Sequence, residues 1–466
     1  MQGRLARALA FGMIGISVPV LAQAADPVPG GVPTVLPGGV PPELSFRKLR
    51  LNPQFYSEGI HHGDFNHDGS DDIVSGPYFY PGPAFTEKIA FRAPRAQPFD
   101  TTGDSDCYSV FPFDFNGDGF MDILSLRQPG GAEAVWYENP AAKAGPSAYW
   151  TEHVGYSLVE NESAALTDIN GDGKPEMVTN SAGYGGWATP DWSNPQGLWA
   201  FRKATAKGTW GAFTHGLGIA DVNGDGRRDL IFPTGWWEQP AKIVNDSPWV
   251  QHPAAFWAQA APQEGPGGAQ IYAYDVDGDG DNDVVTSLQA HGYGLAWFEN
   301  KGQGLTFSEH RIMFTLDQKD QYGAVFSQLH ALAIGDLDGD GLIDLVTGKR
   351  KGAHGHGLAD VDSPAVLYWF RLTRPAGQLP RFEPYLIDSE AGIGTQLTVA
   401  DVNGDGAPDI LTARRSGAFV FFNQRKGTGL APARRGLPRP GSMLIHAGRN
   451  ALGRSLGPGN PILLLR

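Results

Sequence analysis

Asp221-Val222-Asn223-Gly224-Asp225-Gly226-Arg227-Arg228-Asp229, running straight into Leu230, Ile231 and Phe232, is the most informative stretch of the chain. Oxygen-bearing side chains stand at positions 1, 3, 5 and 9, with glycine at position 6. Calcium takes about six to eight hard oxygen ligands, and a loop of this spacing can wrap them around one ion. Gly226 supplies the backbone freedom for the bend. The helix–loop–helix calcium motif places a bidentate glutamate at position 12. Here position 12 is Phe232, inside an apolar run that reads as a strand. The expectation is a calcium loop in the turn of a β-hairpin.

The spacing recurs seven times. Position 1 is Asp64, Asp114, Asp168, Asp221, Asp275, Asp336 and Asp401. Position 3 is Asn66, Asn116, Asn170, Asn223, Asp277, Asp338 and Asn403. Position 5 is Asp68, Asp118, Asp172, Asp225, Asp279, Asp340 and Asp405, each followed by glycine. Position 9 is Asp72, Asp122, Glu176, Asp229, Asp283, Asp344 and Asp409. The intervals are 50, 54, 53, 54, 61 and 65 residues, a period that means a propeller or a solenoid.

Between loops one pattern repeats. A short apolar strand such as Asp72-Ile-Val-Ser75 follows the loop, then an aromatic strand such as Ala134-Val-Trp136-Tyr137, Leu295-Ala-Trp297-Phe298 or Leu367-Tyr-Trp369-Phe370. A fourth strand is marked by Trp150-Thr-Glu-His153, Trp249-Val-Gln-His252 or Phe307-Ser-Glu-His310. Four antiparallel strands per unit, seven units and no helical periodicity predict an all-β, seven-bladed β-propeller over residues 44–423. Leu44-Ser-Phe46-Arg-Lys-Leu49 has no earlier blade to join, so it is expected to pair beside Phe419–Phe422 and latch the ring.

The formal charge is −14, and the seven loops hold 25 of the 50 acidic residues. Seven calcium ions would nearly neutralise the chain, so the acidity belongs to metal sites, and no nucleic-acid footprint is visible. Arg4 and Arg7 precede the apolar run Ala8–Leu21, and Ala22-Gln23-Ala24 reads as a cleavage site. Residues 1–24 are therefore read as a signal peptide, with export to the periplasm or the extracellular space and no other transmembrane segment. Residues 25–43 read as a flexible lead-in, and 424–466 as a basic Gly/Pro-rich tail. Cys107 is the only cysteine, so no internal disulfide is possible.

The repeated loop resembles the FG-GAP/VCBS repeat family, which includes integrin α-subunit propellers, a fungal lectin and several lyases. Thr214-His215-Gly-Leu-Gly-Ile-Ala-Asp221, Pro233-Thr-Gly-Trp236-Trp237-Glu238, Gln289-Ala-His291-Gly-Tyr293-Gly-Leu-Ala-Trp297, His330-Ala-Leu332 and Thr347-Gly-Lys349-Arg350 are similar to the propeller of aldos-2-ulose dehydratase-like proteins. That likeness implies a keto-sugar substrate, dehydration, and a zinc in the propeller.

The calcium loops should form a belt on one face. His215 and His330 stand six residues before Asp221 and Asp336, at the start of innermost strands, and should face the opposite mouth. Glu58, Tyr108 and Glu162 share that offset before Asp64, Asp114 and Asp168. His291, His354, Trp236, Trp237, Lys349 and Arg350 are assigned to second-to-third-strand loops on the same face. His215, His291 and His330 suit a zinc or other transition-metal site. Glu162 could act as base, Lys349 and Arg350 could steady an enolate, and Trp236, Trp237, Tyr293 and Tyr108 could bind a sugar. His354 and His356 are weaker candidates, and His153, His252 and His310 recur in register as structural residues. Two readings follow: an exported carbohydrate-active lyase, or a non-catalytic lectin-like or adhesive propeller that binds sugar or a protein partner.

Overall fold

The computed structural model describes residues 44–425 apart from 102, 128–131, 142–148, 209, 245, 259–266 and 353–359. The proposed signal segment, the lead-in, the tail from 426 onward, His354 and His356 lie outside the described residues. Among the described residues no helix is long and apolar enough to cross a membrane.

Seven four-stranded antiparallel sheets succeed one another along the chain, which makes a seven-bladed β-propeller. Blade 4 is typical: Gly218–Ala220, Asp229–Phe232, Gly235–Glu238 and Val250–Pro253 pair in that order. The second strands are buried along their whole length, as in Asp229–Phe232 and Asp283–Ser287, because both faces of a blade are covered by neighbouring blades. Apolar, largely β-branched residues suit such a doubly covered strand. The core accordingly lies between blades. Trp297 and Val285 of blade 5 cluster with Leu345 and Phe370 of blade 6, and Val346 and Trp369 of blade 6 with Ile410 and Phe419 of blade 7.

The ring closes as its sequence implies. Phe46–Asn52 pairs with Gly417–Asn423, Arg47 opposite Phe422 and Arg50 opposite Phe419. The first strand among the described residues is thereby the fourth strand of the last blade.

Each acidic loop forms the turn between first and second strands. Asp221 accepts the backbone N–H of Asp225 at 3.0 Å and of Gly226 at 2.8 Å, with Gly226 at φ +86°. Position 9 behaves differently from positions 1, 3 and 5, for all seven of its carboxylates are fully buried. Asp229 accepts the N–H of Val222 at 2.9 Å and of Gln239 at 2.8 Å, tying the loop to the end of the third strand. Adjacent blades are clamped at the same level. Side-chain amides of Asn139, Gln239, Asn300 and Asn423 donate to the carbonyls of Phe65, Ile169, Val222 and Leu337, each at position 2 of the preceding blade's loop. Blade 6 makes the contact with Arg374, whose Nε donates to Val276 O.

Candidate active site at the propeller mouth

At the other end of the innermost strands, the residues six before each loop are Glu58, Tyr108, Glu162, His215, Ala269, His330 and Thr395. Two positions earlier the backbone is left-handed in three consecutive blades, at Phe213 (φ 60°), Gly267 (φ 115°) and Gln328 (φ 66°). Bulky residues adopt this conformation at a cost of about 1–3 kcal/mol, sustained only by surrounding bonds. For Gln328 those bonds are explicit. Its N–H donates to Gly292 O, and its carbonyl accepts the N–H groups of His330 and Arg350. One strained peptide therefore sets the positions of two mouth residues.

His215, His291 and His330 converge. One ring nitrogen from each lies within 4.8 Å of the others, and the Nε2 atoms of His291 and His330 are 3.1 Å apart. Ala269 is the small member of the ring of seven, and His291 enters from the same blade. Glu162 sits 3.6 Å from Nε2 of His215 through Oε1 and 3.6 Å from Nε2 of His330 through Oε2. Nε2 of His215 and Oε2 of Glu162 are buried without a hydrogen-bond partner. Three imidazoles beside a carboxylate, with unpartnered donor atoms facing inward, fit a borderline transition metal.

Arg350 is the cation of the site. Its Nε donates to Glu58 Oε1 at 3.0 Å and its Nη2 to Asp104 Oδ1 at 3.1 Å, while Nη1 lies 3.4 Å from Nε2 of His330. The guanidinium carbon stands 5.6 Å from the Tyr108 ring centroid. Burial pushes the pKa of His330 well down, and Arg350 pushes it further, so this imidazole stays neutral. Burial acts to raise Glu162, but the neighbouring His215 and Arg350 outweigh it and hold the carboxyl below its usual range. Glu58 moves the other way, burial winning over Arg350.

The site is floored. Gln396 of blade 7 accepts the N–H groups of Ile60 in blade 1 and Val110 in blade 2, and Gln270 of blade 5 donates to Thr395 O in blade 7. The bonds to Val110 and to Thr395 join non-adjacent blades, so these side chains reach across the channel just beneath the mouth.

Three expectations need correction. Trp236 and Trp237 are not loop residues: Pro233-Thr234 is a tight turn, and both tryptophans lie in the third strand, buried to 1% and 4% exposure. Trp236 stacks on His252 with centroids 4.1 Å apart and donates its indole N–H to Gly304 O, so it faces no substrate. Lys349 is fully buried rather than open to the mouth. Its ammonium donates to Asp360 Oδ2, Asp360 O and Ser327 Oγ, and Tyr293 Oη donates to the same Asp360 at 2.7 Å. Lys349 and Tyr293 thus pin the loops behind the site. Sequence reasoning missed Asp104 and Asp360, which have no repeat position. It also missed a Trp-x-Glu pattern (Trp136-Tyr-Glu138, Trp236-Trp-Glu238, Trp297-Phe-Glu299) that would have placed Trp236 in its strand.

The fold defines the chain as a seven-bladed β-propeller, and FG-GAP-like repeats are found in part of it. Residues 114–179, 168–232 and 275–347 match the FG-GAP-like repeat model. Among solved structures, a chain from the complex of BBS1N with ARL6DN, soaked with lead, is 10% identical with a TM-score of 0.45, covering 83% of this chain and 97% of its own. Its mercury-soaked counterpart is 11% identical at 0.42, covering 81% and 95%. Rhamnogalacturonan lyase YesW is 12% identical at 0.38, covering 84% and 74%. No curated protein matches the chain.

Proposed function

We propose that the protein is an exported, calcium-stabilised carbohydrate-active lyase that eliminates water or an alcohol from a keto-sugar or anhydro-sugar at the mouth. The observation that carries this reading is the meeting of His215, His291 and His330 beside Glu162 and Arg350 at the mouth. Zinc or another transition metal held by the three histidines would supply a Lewis acid for the substrate carbonyl. Glu162, partnered only by imidazoles at 3.6 Å, is placed to take the acidic α-proton. The β-carbon–oxygen bond then breaks, the double bond forms, and the leaving oxygen departs as water or alcohol with the proton that Glu162 took, which returns the carboxylate. Arg350, beside His330, would steady the negative charge that gathers on the carbonyl oxygen. The likeness to aldos-2-ulose dehydratase-like propellers belongs to this proposal, as do the calcium ions, up to seven, in the loops.

The test is elemental analysis of protein purified without added metal, together with a keto-sugar screen, for wild type and His215→Ala/His330→Ala. About one transition metal per chain, lost in the variant together with elimination, is the expected result. Calcium alone in both proteins, with no turnover, would transfer the function to a lectin-like or adhesive propeller.

A further inference from the structure

In the aromatic strand the same arrangement repeats in three blades. Trp136, Trp236 and Trp297 stand opposite His153, His252 and His310 on the fourth strand. The rings stack at 4.1–4.4 Å between centroids. Each imidazole is closed by a glutamate two residues beyond the tryptophan, Glu138, Glu238 or Glu299, at 2.9 Å. Blade 6 fills the position with Tyr385 against Trp369.

Blade 3 breaks the pattern. Its tryptophan is Trp187, the residue opposite is Arg202, and Thr189 occupies the glutamate position. Among the described residues the Arg202 guanidinium makes no hydrogen bond or ion pair. Where blades 2, 4, 5 and 6 are plugged, a cleft of about 390 Å³ opens between blades 3 and 4, lined by Trp187, Thr189, Arg202, Asn170, Gln239 and the turn that follows Gln239. That is the size range of a small-ligand pocket. The amide nitrogens of Asn170 and Gln239 are already committed to Glu176, Ile169 and Arg228. The donors left for a ligand are the Arg202 guanidinium and the Thr189 hydroxyl.

We propose that this cleft is a second, non-catalytic binding site for a carboxylate-bearing sugar, one acidic residue of a uronate-containing glycan. A guanidinium is a planar fork of donors that matches a carboxylate in bidentate fashion. A hydroxyl and an amide oxygen beside it suit the ring hydroxyls of a sugar. The cleft holds about one such ring, which favours a single acidic sugar over a longer peptide segment. The site lies on blades 3 and 4 away from the histidines, so it stands or falls independently of the chemistry at the mouth.

The experiment is titration calorimetry and saturation-transfer NMR with three probes, all with calcium present: a short oligouronate, the matching uncharged oligosaccharide, and inorganic phosphate. Wild type should bind the oligouronate at least about tenfold more tightly than either other probe. Arg202→Gln should lose that preference. Arg202→His/Thr189→Glu rebuilds the plug of the other blades; it should melt no lower than wild type and bind no oligouronate. His215→Ala/His330→Ala should bind it as wild type does. Equal binding of oligouronate and phosphate, tighter binding of a Glu-rich peptide, or unchanged binding by the folded double variant would each overturn the assignment.

Discussion

Nε2 of His291 and Nε2 of His330 stand 3.1 Å apart, so at most one of the two can carry a proton there. Under the proposed reading, a metal ion bound by the three imidazoles would displace that shared proton. Replacing His291 by alanine should therefore weaken transition-metal binding by about 10-fold or more, while far-UV spectra stay unchanged, since His291 is only partly buried. Competition with a metallochromic indicator reads the affinity directly; an unaltered value would remove His291 from the ligand set.

Arg350 and Glu58 form a buried ion pair, exposed to only 3% and 1%. Arg350→Met leaves Glu58 as an uncompensated buried charge and should cost roughly 3–5 kcal/mol of stability. Adding Glu58→Gln should restore most of it. Urea denaturation of the single and double variants measures the recovery, and additive losses would contradict a pairwise origin.

The acidic loops contain two kinds of carboxylate. Asp225→Asn removes an exposed loop oxygen, and its penalty should appear only when calcium is present. Asp229→Asn disturbs a fully buried acceptor of two backbone N–H groups, and should cost about 2–3 kcal/mol with or without calcium. Chelating calcium from wild type should lower the melting temperature by several degrees, and an identical melt in excess chelator would argue against calcium in the loops.

His61 makes stability depend on pH. Its Nδ1 accepts the N–H of His62 at 2.9 Å, which needs the neutral ring, and burial followed by His62 pushes its pKa down to about 3. An unfolded histidine titrates near ~6.5. Between these values the unfolded chain binds a proton that the native chain refuses. Stability is thus whole above about pH 6.5 and drains as pH falls toward 3. His61→Gln should flatten the fall, measured by urea unfolding between about pH 4 and 7; parallel curves would exclude His61 as its source.

Much of this molecule was legible before any coordinates. Seven loops in register require seven blades, and the unpaired strand at Leu44–Leu49 implies the latch at Phe419–Phe422. The placing of His215, His330 and Glu162 at one mouth followed from their offsets, and that of His291 from its loop between second and third strands. Periodicity carries no information about partners outside the repeat. Lys349 reads as a free cation until Asp360, eleven residues on, folds back to it. Trp236 reads as a loop residue because Pro233 and Gly235 signal a loop, whereas the turn is only the two residues Pro233-Thr234. The Arg202 cleft is visible only when strand register shows which residue stands opposite Trp187.

The latch has a consequence in time. Phe46–Asn52 cannot find its partner until Gly417–Asn423 has been made, some 371 residues later. At roughly 5–20 residues per second of synthesis, that is a wait of about 20–75 s. Throughout it, the growing chain carries one unmatched strand at its leading end and an open blade edge at its trailing one. Circularity here is the last event of folding, and the mouth, drawn from blades 1 to 7, cannot be complete before it.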